Sequence, residues 1–144
     1  MTIPVFGTRL DGIEYIDRPG VYAVIENSHK QLAVIETSNG YFLPGGGIDA
    51  GEAEPEALRR EIMEETGCQV LVLAKIGEAV EYIKARGQDR YYQISSRFYK
   101  VQIISRIGEG IEEDHRLVWL QQADALKLLV RQSQVWVIQN LVQA

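Results

Sequence analysis

A single cysteine, Cys68, stands in 144 residues, so no disulfide can form within the chain; this fits a reducing, cytoplasmic setting. No apolar run approaches the ~20 residues of a membrane-crossing helix. The opening Met1-Thr2-Ile3-Pro4-Val5-Phe6-Gly7 lacks the basic start and long apolar centre of a secretory signal. No membrane partner is therefore expected. Positive charge is in deficit, with 15 Lys and Arg against 20 Asp and Glu and a net charge of −5. A long nucleic acid selects a basic footprint, so none is expected as partner. A small phosphorylated ligand stays compatible, because bound cations can compensate its charge. Repeats, low-complexity tracts and linkers are also missing, and the length suits one domain over residues 1–144 with a real core.

What is present concentrates between Gly45 and Cys68. Pro55 fits the first turn of a helix, where its missing N–H leaves no bond unmade, and Glu54 and Glu56 sit at the positive end of the dipole. Gly67 suits the left-handed position that closes a helix. Inside it, Glu61, Glu64 and Glu65 fall at i, i+3 and i+4 and share one sector of the surface, next to the apolar sector of Leu58 and Ile62. Like charges at this spacing repel by about 0.2–0.5 kcal/mol per pair. Taken alone, the run reads first as a solvated acidic helix. A hard divalent cation, Mg²⁺ or Mn²⁺, would reverse the sign, since such ions take carboxylate and phosphate oxygens.

Just ahead, Pro44-Gly45-Gly46-Gly47 follows an apolar strand-like run, and Glu52 follows Gly51. Glycines let a backbone approach a ligand and offer it N–H and C=O groups, although hairpin turns use the same residues. Loop and helix combine into Gly46-x5-Glu52-x7-Arg60-Glu61-Ile62-x-Glu64-Glu65-x-Gly67-Cys68. At ordinary residue frequencies, seven identities at fixed spacing arise in roughly one window in 10⁸. The pattern resembles the signature of the Nudix hydrolase family, with every fixed Gly, Glu and Arg in place. Cys68 departs from it, standing where the family prefers a larger aliphatic residue; a buried free cysteine behaves as a small hydrophobe.

Around the motif, residues 2–7 and 13–17 are short apolar-rich pieces, and Asp17-Arg18-Pro19-Gly20 signals a turn or bulge. Val21–Glu26 and Gln31–Thr37 read as a hairpin joined at residues 27–30, and Tyr41–Leu43 as a short strand. Gln69–Val80 reads as a strand kinked near Gly77, then Val80–Ala85 and Tyr91–Ile104 as a long hairpin with its tip at residues 86–90. A polar loop follows from Ser105 to His115, then a strand over Arg116–Leu120, then one helical pattern from Ala123 through Leu126, Leu129, Val130, Val135, Ile138 and Val142. This order describes an α+β chain with a mixed β-sheet between helices. The resemblance implies the same α/β/α sandwich, the Nudix fold.

It also implies a metal-dependent pyrophosphohydrolase that cleaves a nucleoside diphosphate linked to another moiety: an NTP, a nucleotide sugar, a dinucleoside polyphosphate or an oxidised nucleotide. By that resemblance Glu61, Glu64 and Glu65, with the Gly45 carbonyl, bind Mg²⁺ or Mn²⁺, and Glu52 assists. Gly45, Gly46 and Gly47 face the phosphates. Arg60 orients carboxylates through charge-assisted hydrogen bonds, the plainer reading being an i,i+4 pair with Glu56 or Glu64. Glu64 or Glu61 is the first choice of general base, and Glu109, Glu112 and Glu113 are candidates from the later loop as base or extra ligand, against a solvated acidic loop. His29 and His115 match no metal spacing and read as exposed. Tyr82, Tyr91 and Tyr92 are candidates to stack on a base, and Arg18, Lys84, Arg86, Arg90 and Arg97 to reach phosphates; core packing and ordinary surface are the alternatives. The window after Cys68 has no proline, and no subfamily is assigned. The expected partner is a small nucleotide-derived diphosphate, with room for a homodimer. The alternative to turnover is a Nudix-like module that senses a nucleotide.

Overall fold

The computed structural model describes residues 2–85 and 87–141. Arg86, expected to reach phosphate, and Val142, the last apolar position of the terminal helical pattern, lie outside the described residues.

The strand Tyr15–Ile25 (β2) shows how the layers arise. Val21, Ala23, Val24 and Ile25 are all buried, as expected of a strand covered on both faces. Val21, Ala23 and Ile25 pack with Ala57, Leu58 and Ile62 of the helix Glu54–Thr66 (α1). Val24 points the other way, into a second core with Ala125 of Gln122–Leu128 (α2) and Val137 and Ile138 of Gln132–Leu141 (α3). Helices thus cover both sides of the strands, giving the expected α/β/α arrangement.

The strand Tyr91–Arg106 (β7) lies at the middle of a five-stranded mixed sheet. It pairs parallel with β2, from Tyr15 opposite Tyr91 to Ile25 opposite Val101. It pairs antiparallel with Cys68–Lys84 (β6), whose outer edge takes Val5–Phe6 (β1). Gly45–Gly47 (β5) closes the other edge against β2. A second, antiparallel sheet places Leu32–Thr37 (β3) between Gly40–Phe42 (β4) and Arg116–Leu120 (β8). Among the described residues no helix is long and apolar enough to cross a membrane.

Several local expectations change in this context. Asp17–Gly20 is not a turn: β2 runs through it, because β7 supplies a continuous partner. Pro19 has no N–H to give, and its carbonyl accepts from Ile48 at 3.0 Å. The 21–37 hairpin keeps its turn but only one bridge, Glu26 to Leu32. Both edges of β2 are already taken by β7 and β5, so β3 joins the other sheet. Residues 68–84 are one strand, with register shifts between Gln69 and Val70, Val72 and Ala74, and Lys75 and Gly77, the last at the expected kink. The terminal pattern is two helices. Leu129 turns extended, the Val130 N–H donates to the Tyr41 carbonyl at 3.0 Å, and α3 starts afresh. The buried carboxylate of Glu81 on β6 accepts from the N–H and hydroxyl of Ser133 at 2.9 and 2.6 Å, satisfying groups a helix start leaves open.

Candidate active site

Helix α1 is held at both ends. Its N-cap, Ala53, makes no side-chain bond; Glu54 is tied instead to the Tyr99 hydroxyl at 2.6 Å and Lys75 Nζ at 3.1 Å on the sheet. At the other end Gly67 takes φ 71° and donates to the Met63 carbonyl, the expected left-handed closure. The following loop turns back onto the last turn, where the N–H groups of Ile111 and Glu112 reach the Glu64 carbonyl at 2.8 and 3.2 Å. With Leu58 and Ile62 sunk in the core, the acidic sector lies at the rim of the packed face. Cys68 is buried in the same core, as a small hydrophobe would be.

Arg60 is the hub of this rim. Its Nε and one terminal nitrogen grip Glu52 at 2.7 and 2.9 Å, a two-pronged pair. The other terminal nitrogen reaches Glu61 at 3.1 Å and both oxygens of Glu64 at 3.3 Å, while the terminal nitrogen on Glu52 also donates to the Gly47 carbonyl at 3.0 Å. The simple i,i+4 pair is therefore too small a description. Glu52 also accepts the Asp49 N–H at 2.9 Å. Arg60 and this N–H hold its carboxyl down at about 2, and the same carboxylate pushes the Arg60 pKa up.

The glycines form strand β5, not a free loop, and at Gly45 and Gly46 only bare backbone can lie this close to its neighbours. Gly45 has φ 144°, and a Cβ there would collide with the Val21 carbonyl. A Cβ on Gly46 would come within 2.5 Å of the Glu61 carboxylate, so Glu61 occupies the space a side chain would fill. Glu65 turns inward, 6% exposed. It accepts the Gly45 N–H at 2.8 Å and lies 3.0 Å from His115 Nδ1. Burial, followed by repulsion from Glu61, Glu112 and Glu64, outweighs the Gly45 bond and raises its carboxyl to about 8. Burial also raises Glu61, against the pull of Arg60.

A cavity of about 810 Å³ opens beside Glu65 and the three glycines. Arg18, Tyr22 and Tyr92 of the large sheet line it, as do Phe42, Leu43, Arg131 and Gln134. Burial pushes the Tyr22 hydroxyl up to about 12, so it is neutral. Among the described residues no three His, Cys, Asp or Glu side chains stand at a spacing that holds a metal ion. Arg60 bridges Glu61 and Glu64, while Gly45 and His115 hold Glu65. The donor chemistry nonetheless fits a hard divalent cation: the carboxylate oxygens are crowded, partly desolvated and short of positive charge.

Glu52, Arg60, Glu61 and Glu64 thus form one network with Gly47, while Glu65 and Gly45 pair on its cavity side. Of the loop candidates, Glu112 is near enough for its charge to act on both Glu61 and Glu65. Glu109 is exposed and lies 3.6 Å from Arg106, and Glu113 is exposed. His29 is exposed in the 27–30 turn, whereas His115, read as exposed, is half-buried against Glu65. Tyr92 and Lys84 line the cavity, as does Arg18. Tyr82 and Tyr91 pack edge-on against Tyr15, and Arg97 lies 3.4 Å from Glu54; Arg90 is exposed. Tyr22, Phe42, Arg131 and Gln134 carried no sequence signal beyond apolar alternation and helical pattern.

Comparison with known proteins bears on the family and the fold. The sequence profile of the NUDIX domain matches residues 17–139. A Bacillus subtilis protein provisionally named an 8-oxo-dGTP diphosphatase is 38% identical over 60 residues, 40% of each chain. A Mycobacterium tuberculosis protein provisionally named 8-oxo-dGTP diphosphatase 2 is 37% identical over 91 residues, 62% of this chain and 59% of that one. The matched stretches therefore span about two fifths and three fifths of these relatives. Among solved structures, a NUDIX hydrolase from Nitrosomonas europaea superposes with TM-score 0.69 at 19% identity, covering 86% of this chain and 87% of that one. A MutT protein from Methanosarcina mazei gives TM-score 0.67 at 17% identity, covering 88% and 93%. At these identities the two structures speak for the fold.

Proposed function

Because the chain belongs to the Nudix family, we propose that it hydrolyses a phosphoric anhydride bond in a nucleoside diphosphate linked to another moiety, using Mg²⁺ or Mn²⁺. The observation that carries this reading is the crowding of Glu61, Glu64 and Glu65 on one helix face, with Glu61 against Gly46 and Glu65 lining a ligand-sized cavity together with the three glycines. Carboxylates kept in mutual repulsion at such a place have a use when a cation and a phosphate arrive together.

In this reading Glu61, Glu64 and Glu65, with the Gly45 carbonyl, hold the ion. When bound, it supplies positive charge to the diphosphate and activates water toward phosphorus. Arg60 keeps Glu52 clamped and steers Glu61 and Glu64 through its longer contacts, which can yield to a cation more readily than the 2.7 Å bond to Glu52. Glu64 or Glu61 takes the proton of the attacking water, with Glu112 as the loop candidate; Glu109 and Glu113 are left as solvated charges. The backbone of Gly45–Gly47 lies along the phosphates, and the cavity receives the rest of the nucleotide. The names of the B. subtilis and M. tuberculosis relatives favour an oxidised purine nucleoside triphosphate within this substrate class. A small nucleotide substrate fits a cytoplasmic enzyme.

The test is a panel of nucleoside triphosphates, 8-oxo-dGTP, nucleotide sugars and dinucleoside polyphosphates, each with Mg²⁺, with Mn²⁺ and with EDTA. Metal-dependent release of a nucleoside monophosphate is expected. A second reading, nucleotide sensing without turnover, is favoured by the hold that Arg60 and His115 keep on the carboxylates. Tight binding with no product from any panel member would establish it in place of the first.

A further inference from the structure

The segment between β7 and β8, residues 107–115, is tied down at three places. Where it leaves β7, the Ile107 N–H donates to the Gly67 carbonyl at 3.0 Å. Midway, the N–H groups of Ile111 and Glu112 share the Glu64 carbonyl, at the end of α1 where carbonyls have no partner within the helix. Gly110 makes this approach possible, since a Cβ there would collide with the carbonyls of Glu65 and Glu64. At the far end Asp114 takes the N–H and hydroxyl of Ser38, in the turn between β3 and β4, at 3.1 and 2.6 Å. Apolar burial is not what holds the segment, because Ile107 and Ile111 are exposed. Polar bonds at both ends and the middle draw it across the last turn of α1.

His115 comes directly after the Asp114 anchor and directly before β8, so its ring is delivered to one place. Nδ1 lies 3.0 Å from Glu65 Oε2, while Oε1 of the same carboxyl takes the Gly45 N–H at 2.8 Å. Together the two contacts engage both oxygens and so fix the plane of the carboxyl. Imidazole suits this post for a chemical reason. A ring nitrogen accepts from a protonated carboxyl in one tautomer and donates to an ionised one in the other. The contact therefore holds in either charge state of Glu65. Each carboxylate oxygen also keeps a second lone pair, which leaves the group able to bind a cation.

We infer that residues 107–115 form a strap across the end of α1 and that His115 is a positioning residue, which acts through Glu65 by keeping its carboxyl turned to Gly45 and set for a cation. The inference rests on the proposed hydrolase reading for the cation, but the orientation of Glu65 is measurable without one. A side chain that stands behind a metal ligand changes metal affinity about 10–100-fold when it is removed.

The test uses the full chain, first in EDTA and then with Mn²⁺ alone. In EDTA, hydrogen exchange at the Gly45 amide reports whether Glu65 still faces it. His115→Leu should speed this exchange about tenfold, and His115→Asn, whose amide nitrogen can stand where Nδ1 does, should restore it. With Mn²⁺ followed by electron paramagnetic resonance, His115→Leu should bind about 10–100-fold more weakly and His115→Asn close to wild type. Gly110→Ala lifts the strap and leaves every polar side chain in place. It should give the same two losses by itself and add nothing to His115→Leu, since both act through one contact. Unchanged Gly45 exchange in His115→Leu, or no rescue by Asn, would overturn the inference; full additivity with Gly110→Ala would overturn the strap. Tighter Mn²⁺ binding by His115→Leu would also overturn it, making His115 a lock and favouring sensing. Should His115→Leu fail to fold, Gly110→Ala and His115→Asn decide by the same readings. The expected Gly45 exchange without turnover of any nucleotide would leave this inference standing and sink the hydrolase reading. Metal-dependent turnover with His115→Leu equal to wild type throughout would do the reverse.

Discussion

Replacing Glu65 with Gln tests the electrostatics of the site before any substrate is involved. The Glu65 carboxyl is raised from an ordinary 4.5 to about 8, with burial the largest cause and neighbouring carboxylates adding to it. The native state therefore keeps a proton that the unfolded chain has lost across that window. Stability should fall as pH rises from about 4.5 to about 8, because the unfolded state binds fewer protons there. The slope is bounded near 1.4 kcal/mol per pH unit, and across the window the loss is on the order of 4 kcal/mol. For a chain of this size that is a drop in Tm on the order of 10 °C. Gln removes the titration yet can still accept the Gly45 N–H and face His115 with its amide. Thermal unfolding in EDTA at half-unit steps from pH 5 to 8.5 should show wild type losing stability and Glu65→Gln running much flatter, crossing above it at the alkaline end. Parallel curves would refute the account of a protonated, desolvated carboxyl at this position.

The other expectations concern the same rim and one distant anchor. Glu64→Gln should lower turnover by orders of magnitude while leaving the metal-free Tm unchanged or raised, because it relieves repulsion on α1; wild-type kcat in that variant would take Glu64 out of the chemistry. Gly46→Ala inserts a methyl group into the space held by the Glu61 carboxylate. It should weaken Mn²⁺ binding, followed by electron paramagnetic resonance, together with activity, and unaltered metal affinity would count against the placement of Glu61. Glu81→Ala strips the start of α3 of its acceptor and leaves a buried helix end open. It should cost about 1–3 kcal/mol in urea unfolding; a loss below about 0.5 kcal/mol would mean water replaces the carboxylate without penalty.

The helix α1 was readable residue by residue, since Pro55, the acidic first turn and Gly67 act through local backbone physics that no tertiary contact had to supply. The clustering of Glu61, Glu64 and Glu65 followed from helical period alone. The long strands were readable as apolar runs, whereas the split of β2 between two cores came only from its packing. Three errors share one cause. The break after Leu128, the strand through Pro19 and the pairing of β5 each depend on partners remote in the chain, namely Tyr41 with Glu81, β7, and β2.

The sequence by itself determined which groups share one face of α1, because motif spacing on a helix converts directly into a shared face. Only the tertiary structure decided how those groups stand toward one another. Arg60 gathers Glu52, Glu61 and Glu64 because the segment carrying Glu52 folds back over the helix. Glu65 turns inward because β5 presents a bare N–H to it, and His115 joins it from a loop 50 residues on. The cavity wall of Tyr22, Arg131 and Gln134 comes from elements about 110 residues apart. Local periodicity carries no information about such distances, since packing of the two cores fixes them.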